Sequence, residues 1–140
     1  MADPHADVVA TDRWLEETHG LTSLVSRFET AASTVKQAEA QVVQASSELR
    51  QLEEQLADRE ADLAYPHVTN AEIKNAPARD AQVGRDCRAD DDWCRLRREV
   101  EAKRTELARH KSEHNRCESH QKNLRVKAEV VAARLRAIAR

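Results

Sequence analysis

Aromatic residues are almost missing from this chain: two Trp, one Tyr and one Phe make up 3% of its 140 residues. Glycine occurs twice and proline three times. So little turn-forming and ring-bearing material argues against a sheet-based domain with a thick core and in favour of long helices. With only Gly20 and Gly84 available, a glycine-rich phosphate loop cannot be built, and no nucleophile-elbow pattern or converging carboxylate pair occurs. The reading is therefore of a non-enzymatic protein without a cofactor. No run approaches the roughly 18 to 20 apolar residues of a membrane span, and "MADPHADVVATDR" has no basic region leading into an apolar one. These absences predict a soluble, cytoplasmic chain that does not engage a membrane. Cys87, Cys94 and Cys117 are an odd set, which predicts free thiols in a reducing compartment rather than a disulfide framework.

What is abundant is charge, at 34%, and aliphatic side chains at regular intervals. From Leu21, steps of three and four land on Leu24, Phe28, Ala31, Val35, Ala38, Val42, Ala45, Leu49, Leu52, Leu56, Arg59 and Leu63. A period of 3.5 keeps one stripe of a helix facing a partner helix, so this spacing predicts a coiled-coil segment over 21–65, with Arg59 its one polar interruption. The same count from Trp93 gives Leu96, Val100, Lys103, Leu107, His110, His114, Cys117, Gln121, Leu124, Ala128, Val131, Leu135 and Ile138. This second seam, over 93–140, is apolar at its ends and polar in its middle.

The formal net charge of -2 hides a division along the chain. Residues 1–66 hold 5 Lys/Arg against 13 Asp/Glu, while residues 93–140 hold 14 against 6. Oppositely charged helices of equal length predict an elongated antiparallel coiled-coil helical hairpin, all-α, whose charges select direction and register rather than supply much stability. Counting back from Leu63 placed beside Trp93 sets His110, His114 and Cys117 opposite Ser46, Val42 and Glu39.

The connector over 66–92 is expected to be structured. Pro66 is expected to end the first helix, Thr69 with Glu72 has capping-box spacing, and Asn75 ahead of Ala76 and Pro77 suits the start of a short tip helix over 77–88. Gly84 weakens the middle of that helix, and Asp90, Asp91 and Asp92 stand where the next helix N-terminus favours negative charge. Residues 1–20 are expected to form an N-terminal helical arm, with Asp3, Asp7, Asp12, Glu16 and Glu17 brought near Arg125, Lys127, Arg134, Arg136 and Arg140.

"HKSEHNRCESHQ" (110–121) is the one stretch with metal-ligand chemistry. His110 and His114 share a helix face and could hold a divalent ion through their ring nitrogens, but Cys117 lies too far along the axis to join both. The predicted facing segment contributes no His or Cys to complete a tetrahedron, which favours a polar seam lined by small residues. Burial of those imidazoles would make this region loosen below about pH 6.5. Cys87 and Cys94 would be redox-active only if Arg85, Arg88 and Arg95 lowered a thiol pKa.

The segments "TNAEIKNAPARDAQV" (69–83), with Lys74, Asn75, Ala76, Arg79 and Ala81, "DDDWCRLRREVEAKRTELARHKSEHN" (90–115) and "NLRVKAEVVAARLRAI" (123–138) resemble small coiled-coil accessory proteins of bacteriophage and prophage recombination modules. The resemblance covers the second half of the chain. It implies an interaction protein accessory to DNA recombination or replication, acting through a protein partner. A thin two-helix core also predicts a homo-oligomer. Direct nucleic-acid binding is expected to be weak, because the acidic helix offsets the basic one and bases would find few rings to stack on. Two further readings stand beside it. The acidic tip is similar to that of hairpin regulators that modulate a nucleic-acid enzyme of the host, and the His/Cys stretch suits a metal- or redox-responsive coiled coil.

Overall fold

A computed structural model describes residue 13, residues 21–70 and residues 75–140. Among these the chain is all-helical, with no strand: α1 spans Leu21–Val68, α2 Ala76–Ala89 and α3 Asp91–Ile138. The arm expected over 1–20, with its acidic residues, lies outside the described residues apart from Arg13, and so do the Leu21 side chain, Lys74 and Glu72. The helices form because nothing interrupts them. Neither Gly nor Pro occurs over 21–65 or 93–140, and both stretches are rich in Ala, Leu, Glu and Arg, which lose little rotamer freedom in a helix.

The described residues divide into two compact units, the first drawn from Met1–Ala40 and Ser112–Arg140, the second Gln41–Lys111. In the first unit, Leu24, Ala31 and Leu124 are the buried centre, with Phe28 and Ala128 packed on them. Ala38, Cys117 and Val131 are buried in the same unit. Val35, His114, Gln121 and Leu135 are half-buried. Ile138, expected at the end of the apolar line, is 54% exposed. It is the last residue of α3 and has no further helical turn beside it to cover it.

In the second unit, Ala45, Trp93, Leu96 and Val100 are buried, and Val42, Leu49, Leu52, Leu56, Leu63, Lys103, Leu107 and His110 are half-buried. Arg59 is half-buried too. Along α1 and α3, burial therefore follows the three-four spacing of the sequence in each unit, and Cys87 of α2 adds a buried side chain in the second. Within the second unit α1 and α3 pair in opposite chain directions: Glu60 meets Trp93, and Glu48 meets Lys103.

Three local features differ from the sequence expectation. Pro66 does not end α1, which continues to Val68. Its missing N–H falls in the final turn, where one lost bond is tolerated, and the Thr69 hydroxyl donates to the carbonyls of Tyr65 (3.1 Å) and Pro66 (3.3 Å). Thr69 thus closes the C-terminus of α1, while Glu72, its expected capping-box partner, lies outside the described residues.

The third difference is register. Trp93 donates its indole N–H to Glu60 (3.0 Å), and Cys117 shares a cavity with Ala31 and Thr34 rather than facing Glu39. Relative to the expected alignment, α3 residues in each unit meet α1 residues about one to two turns nearer its N-terminus. The apolar pattern repeats every heptad and so tolerates such a slip; polar groups select among the alternatives.

Helix α2 matches its sequence signals. Asn75 is the N-cap, with extended backbone (φ -129, ψ 149) and a side chain that accepts from the Ala78 N–H at 2.8 Å. Pro77 sits in the first turn, where its missing N–H costs nothing. Gly84 lies mid-helix, and a Cβ there would meet the Arg88 guanidinium at 3.5 Å, an ordinary contact. Gly84→Ala should therefore raise unfolding stability by about 0.5–1 kcal/mol. Val100, only 2% exposed, should report on the narrow core. Val100→Ala should cost about 2 kcal/mol in urea unfolding, against a negligible loss if the strip were loosely packed.

Candidate functional site

Three polar constellations result from this fold, and the best-built is the α2–α3 junction. Asp90 ends one helix and starts the next. Its N–H donates to the Cys87 carbonyl (3.1 Å), its carbonyl accepts from Cys94 (3.0 Å), and its Oδ2 accepts from the Trp93 N–H (2.8 Å). Both oxygens are also held by Arg59, through Nε (2.9 Å) and Nη2 (2.5 Å). This fork-to-fork pairing fixes the guanidinium and carboxylate planes as well as their separation. The Arg59 hydrogen bonds, with the Trp93 N–H, hold the Asp90 carboxyl down at about 2, and the same pairing raises the Arg59 pKa.

Around this junction the side chains are occupied structurally. His67 pairs with Asp86, tying the end of α1 to α2, and the imidazole lowers the Asp86 pKa. Arg97 lies over the Trp93 ring at 5.1 Å. Asp91 and Asp92 are exposed in the first turn of α3, with Asp92 3.8 Å from Arg95. All three cysteines are unpaired. Burial pushes the Cys87 thiol up, and the nearby Glu60, Asp90 and Asp86 add to that, outweighing Arg88. An activated thiolate at Cys87 is therefore opposed by its surroundings. Cys94 is half-buried, its Sγ 3.5 Å from the Arg88 carbonyl.

The polar middle of the second seam is met by carboxylates on the same helix and, in the second unit, on α1 as well. In the second unit, Lys103 bridges Glu106 (2.8 Å) and, across to α1, Glu48 (2.6 Å), and these bonds raise its pKa while lowering those of both glutamates. Arg104 reaches Glu53 on α1 at 3.0 Å. His110 has its Nε2 3.5 Å from Glu106. In the first unit, His114 Nε2 lies 3.8 Å from Glu118, and Cys117 Sγ lies 3.7 Å from Glu113.

Each imidazole thus has a carboxylate one turn away on its own helix, Glu106 for His110 and Glu118 for His114. Among the described residues no group of three or more His, Cys, Asp or Glu side chains is arranged to hold a metal ion.

The third constellation was not anticipated. In the first unit a cavity of about 220 Å³ opens beside Ala31 and Cys117, rimmed by Arg27, Arg116 and His120 together with hydroxyl side chains. A small residue from each helix at the same level leaves the space. The sequence signal was the spacing: Ser26, Thr30 and Thr34 recur every four residues, and Arg116 and His120 are four apart, so each set occupies one helix face. The Arg59–Asp90 clamp also carried a signal, Arg59 being the single break in an apolar line.

Asn75, Ala76 and Arg79 have a local structural role. Asn75 is a helix cap, and Ala76 and Arg79 belong to the first turns of α2. The positions that carry the resemblance therefore also carry helix-start chemistry.

Asp90 should set part of the acid response. A carboxyl whose pKa is lowered on folding contributes stability above its unfolded value, and that contribution is lost as pH falls through the folded one. The gap in urea midpoint between the wild type and Asp90→Asn should be full above about pH 4 and shrink toward pH 2. A gap constant across that range would show that the charge of Asp90 is not its source.

No family model matches the chain, and neither a curated protein nor a solved structure does.

Proposed function

We propose that the chain is a non-enzymatic antiparallel coiled-coil hairpin that works by binding other proteins, forms homo-oligomers, and serves as a phage-type accessory to DNA recombination or replication. The observation that carries the interaction reading is the disposition of apolar side chains. Buried residues follow one thin strip, while Val25, Val43, Tyr65, Val68, Val126, Val130 and Ile138 are all more than half exposed. Val126 and Val130 stand one turn apart on α3, so they share a face. A helix that leaves large aliphatics on a face away from its own buried strip has area to give to a second chain.

The polar side chains support the same reading from the other direction. At the junction and in the polar middle of α3, Arg59 and Asp90 are spent on each other and on a cap, and Lys103 and Arg104 on cross-helix pairs. The DNA-linked part of the proposal rests on the sequence resemblance alone.

Light scattering on the purified chain tests the assembly. The wild type should run as a dimer or larger, and Val126→Lys with Val130→Lys should shift it toward monomer with helicity retained, because both sites are exposed. A monomeric wild type would remove the oligomer from the proposal. Affinity capture from the native host should return a nucleic-acid-handling protein. Recovery of none, with no association with single-stranded DNA, would remove the recombination role.

A further inference from the structure

The cavity in the first unit has the chemistry of an anion site. Its floor is Ala31 and Cys117, 4% and 5% exposed, which presents a methyl and a thiol rather than charge. Its rim carries two guanidiniums and an imidazole, and no carboxylate belongs to its lining. Arg27 and His120 make no hydrogen bond or ion pair with the described protein, and neither do the hydroxyls of Ser26 and Thr30.

The remaining rim groups are partly used. Thr34 donates its proton to the Thr30 carbonyl at 2.8 Å, and Arg116 gives Nε and Nη2 to Glu113 at 3.0 and 2.5 Å, leaving Nη1 unengaged. Unspent donors of positive or neutral character thus surround a recess with an apolar base. Compare the second unit, where Lys103 and Arg104 are saturated by glutamates.

We propose that this recess binds a small phosphate monoester, with the phosphoryl oxygens on Arg27, His120 and the free Arg116 nitrogen, and the organic body over Ala31 and Cys117. Guanidinium and imidazole N–H donors match a phosphate in geometry, the guanidiniums match its charge, and the serine and threonine hydroxyls supply further donors. A volume of about 220 Å³ exceeds what inorganic phosphate fills and falls just short of a drug-sized site. A mononucleotide head or a sugar phosphate is of the right size. The same chemistry is offered by a free ester and by the 5′-phosphorylated end of a single strand.

Titration of the full chain by amide NMR tests this, using thymidine 5′-monophosphate, thymidine, and a short oligonucleotide with and without its 5′-phosphate. Saturable shifts confined to residues near 26–34 and 116–120 are expected with the phosphorylated probes and not with thymidine. Arg27→Gln with His120→Gln, both exposed and so expected to fold, should weaken binding by about tenfold or more, while Lys36→Gln should leave it unchanged. Preference for the mononucleotide assigns the site to free esters, and preference for the phosphorylated over the unphosphorylated strand assigns it to strand ends. Equal shifts with thymidine, no saturation, or an unaltered affinity in the Arg27/His120 variant would overturn the proposal.

Discussion

The double hydrogen bond between Arg59 and Asp90 joins the long first helix to the start of the third, and the second unit is arranged around it. A line of aliphatic side chains repeating every heptad cannot by itself say which turn lies beside which, because a slip of one heptad restores nearly the same contacts. A bidentate pair cannot slip. Moving α3 by one turn would leave a half-buried guanidinium without its carboxylate and detach Asp90 from the group that holds its charge. Asp90 also terminates α2 and caps α3, so the contact that aligns α1 with α3 inside the second unit places α2 as well.

Charge elsewhere in the second unit reinforces that choice without deciding it. The pairs from Lys103 and Arg104 to Glu48 and Glu53 connect the basic helix to the acidic one, in keeping with the division of charge along the sequence. Exposed pairs of this kind stabilise by about 0–1 kcal/mol each, but a wrong register sets like charges together, and the penalty lies there. The first unit relies on a small apolar centre of Leu24, Ala31 and Leu124, and the alanine and cysteine that let its helices approach also leave the recess at its rim. A thin core and an open groove are two results of using small residues.

The helices and the buried strip were legible in the sequence because both follow from period. Every described seam position except Ile138 is buried or half-buried, Arg59 and the polar trio Lys103, His110 and His114 included. The start of α2 was legible because Asn75 and Pro77 have local chemistry that needs no partner. Register was not legible, since it depends on two residues far apart in the chain. Arg59 looked like a flaw in one seam and Asp90 like one of three equivalent aspartates, and only their meeting gives either a meaning. Pro66 misled because a proline in the last turn removes a single bond, whereas one earlier would have broken the helix. The carboxylates beside His110 and His114, Glu106 and Glu118, each lie one turn away on the same helix, where a reading for metal ligands passes over them.

A double-mutant cycle on the clamp measures its role most directly, with Arg59→Leu completing the apolar line and Asp90→Ser keeping a capping hydroxyl while removing the charge. Urea unfolding should show that Arg59→Leu lowers stability despite its better hydrophobic pattern, that Asp90→Ser lowers it too, and that the double variant loses clearly less than the sum of the two. Additive losses, or an Arg59→Leu variant more stable than the wild type, would contradict the assignment of register to this contact.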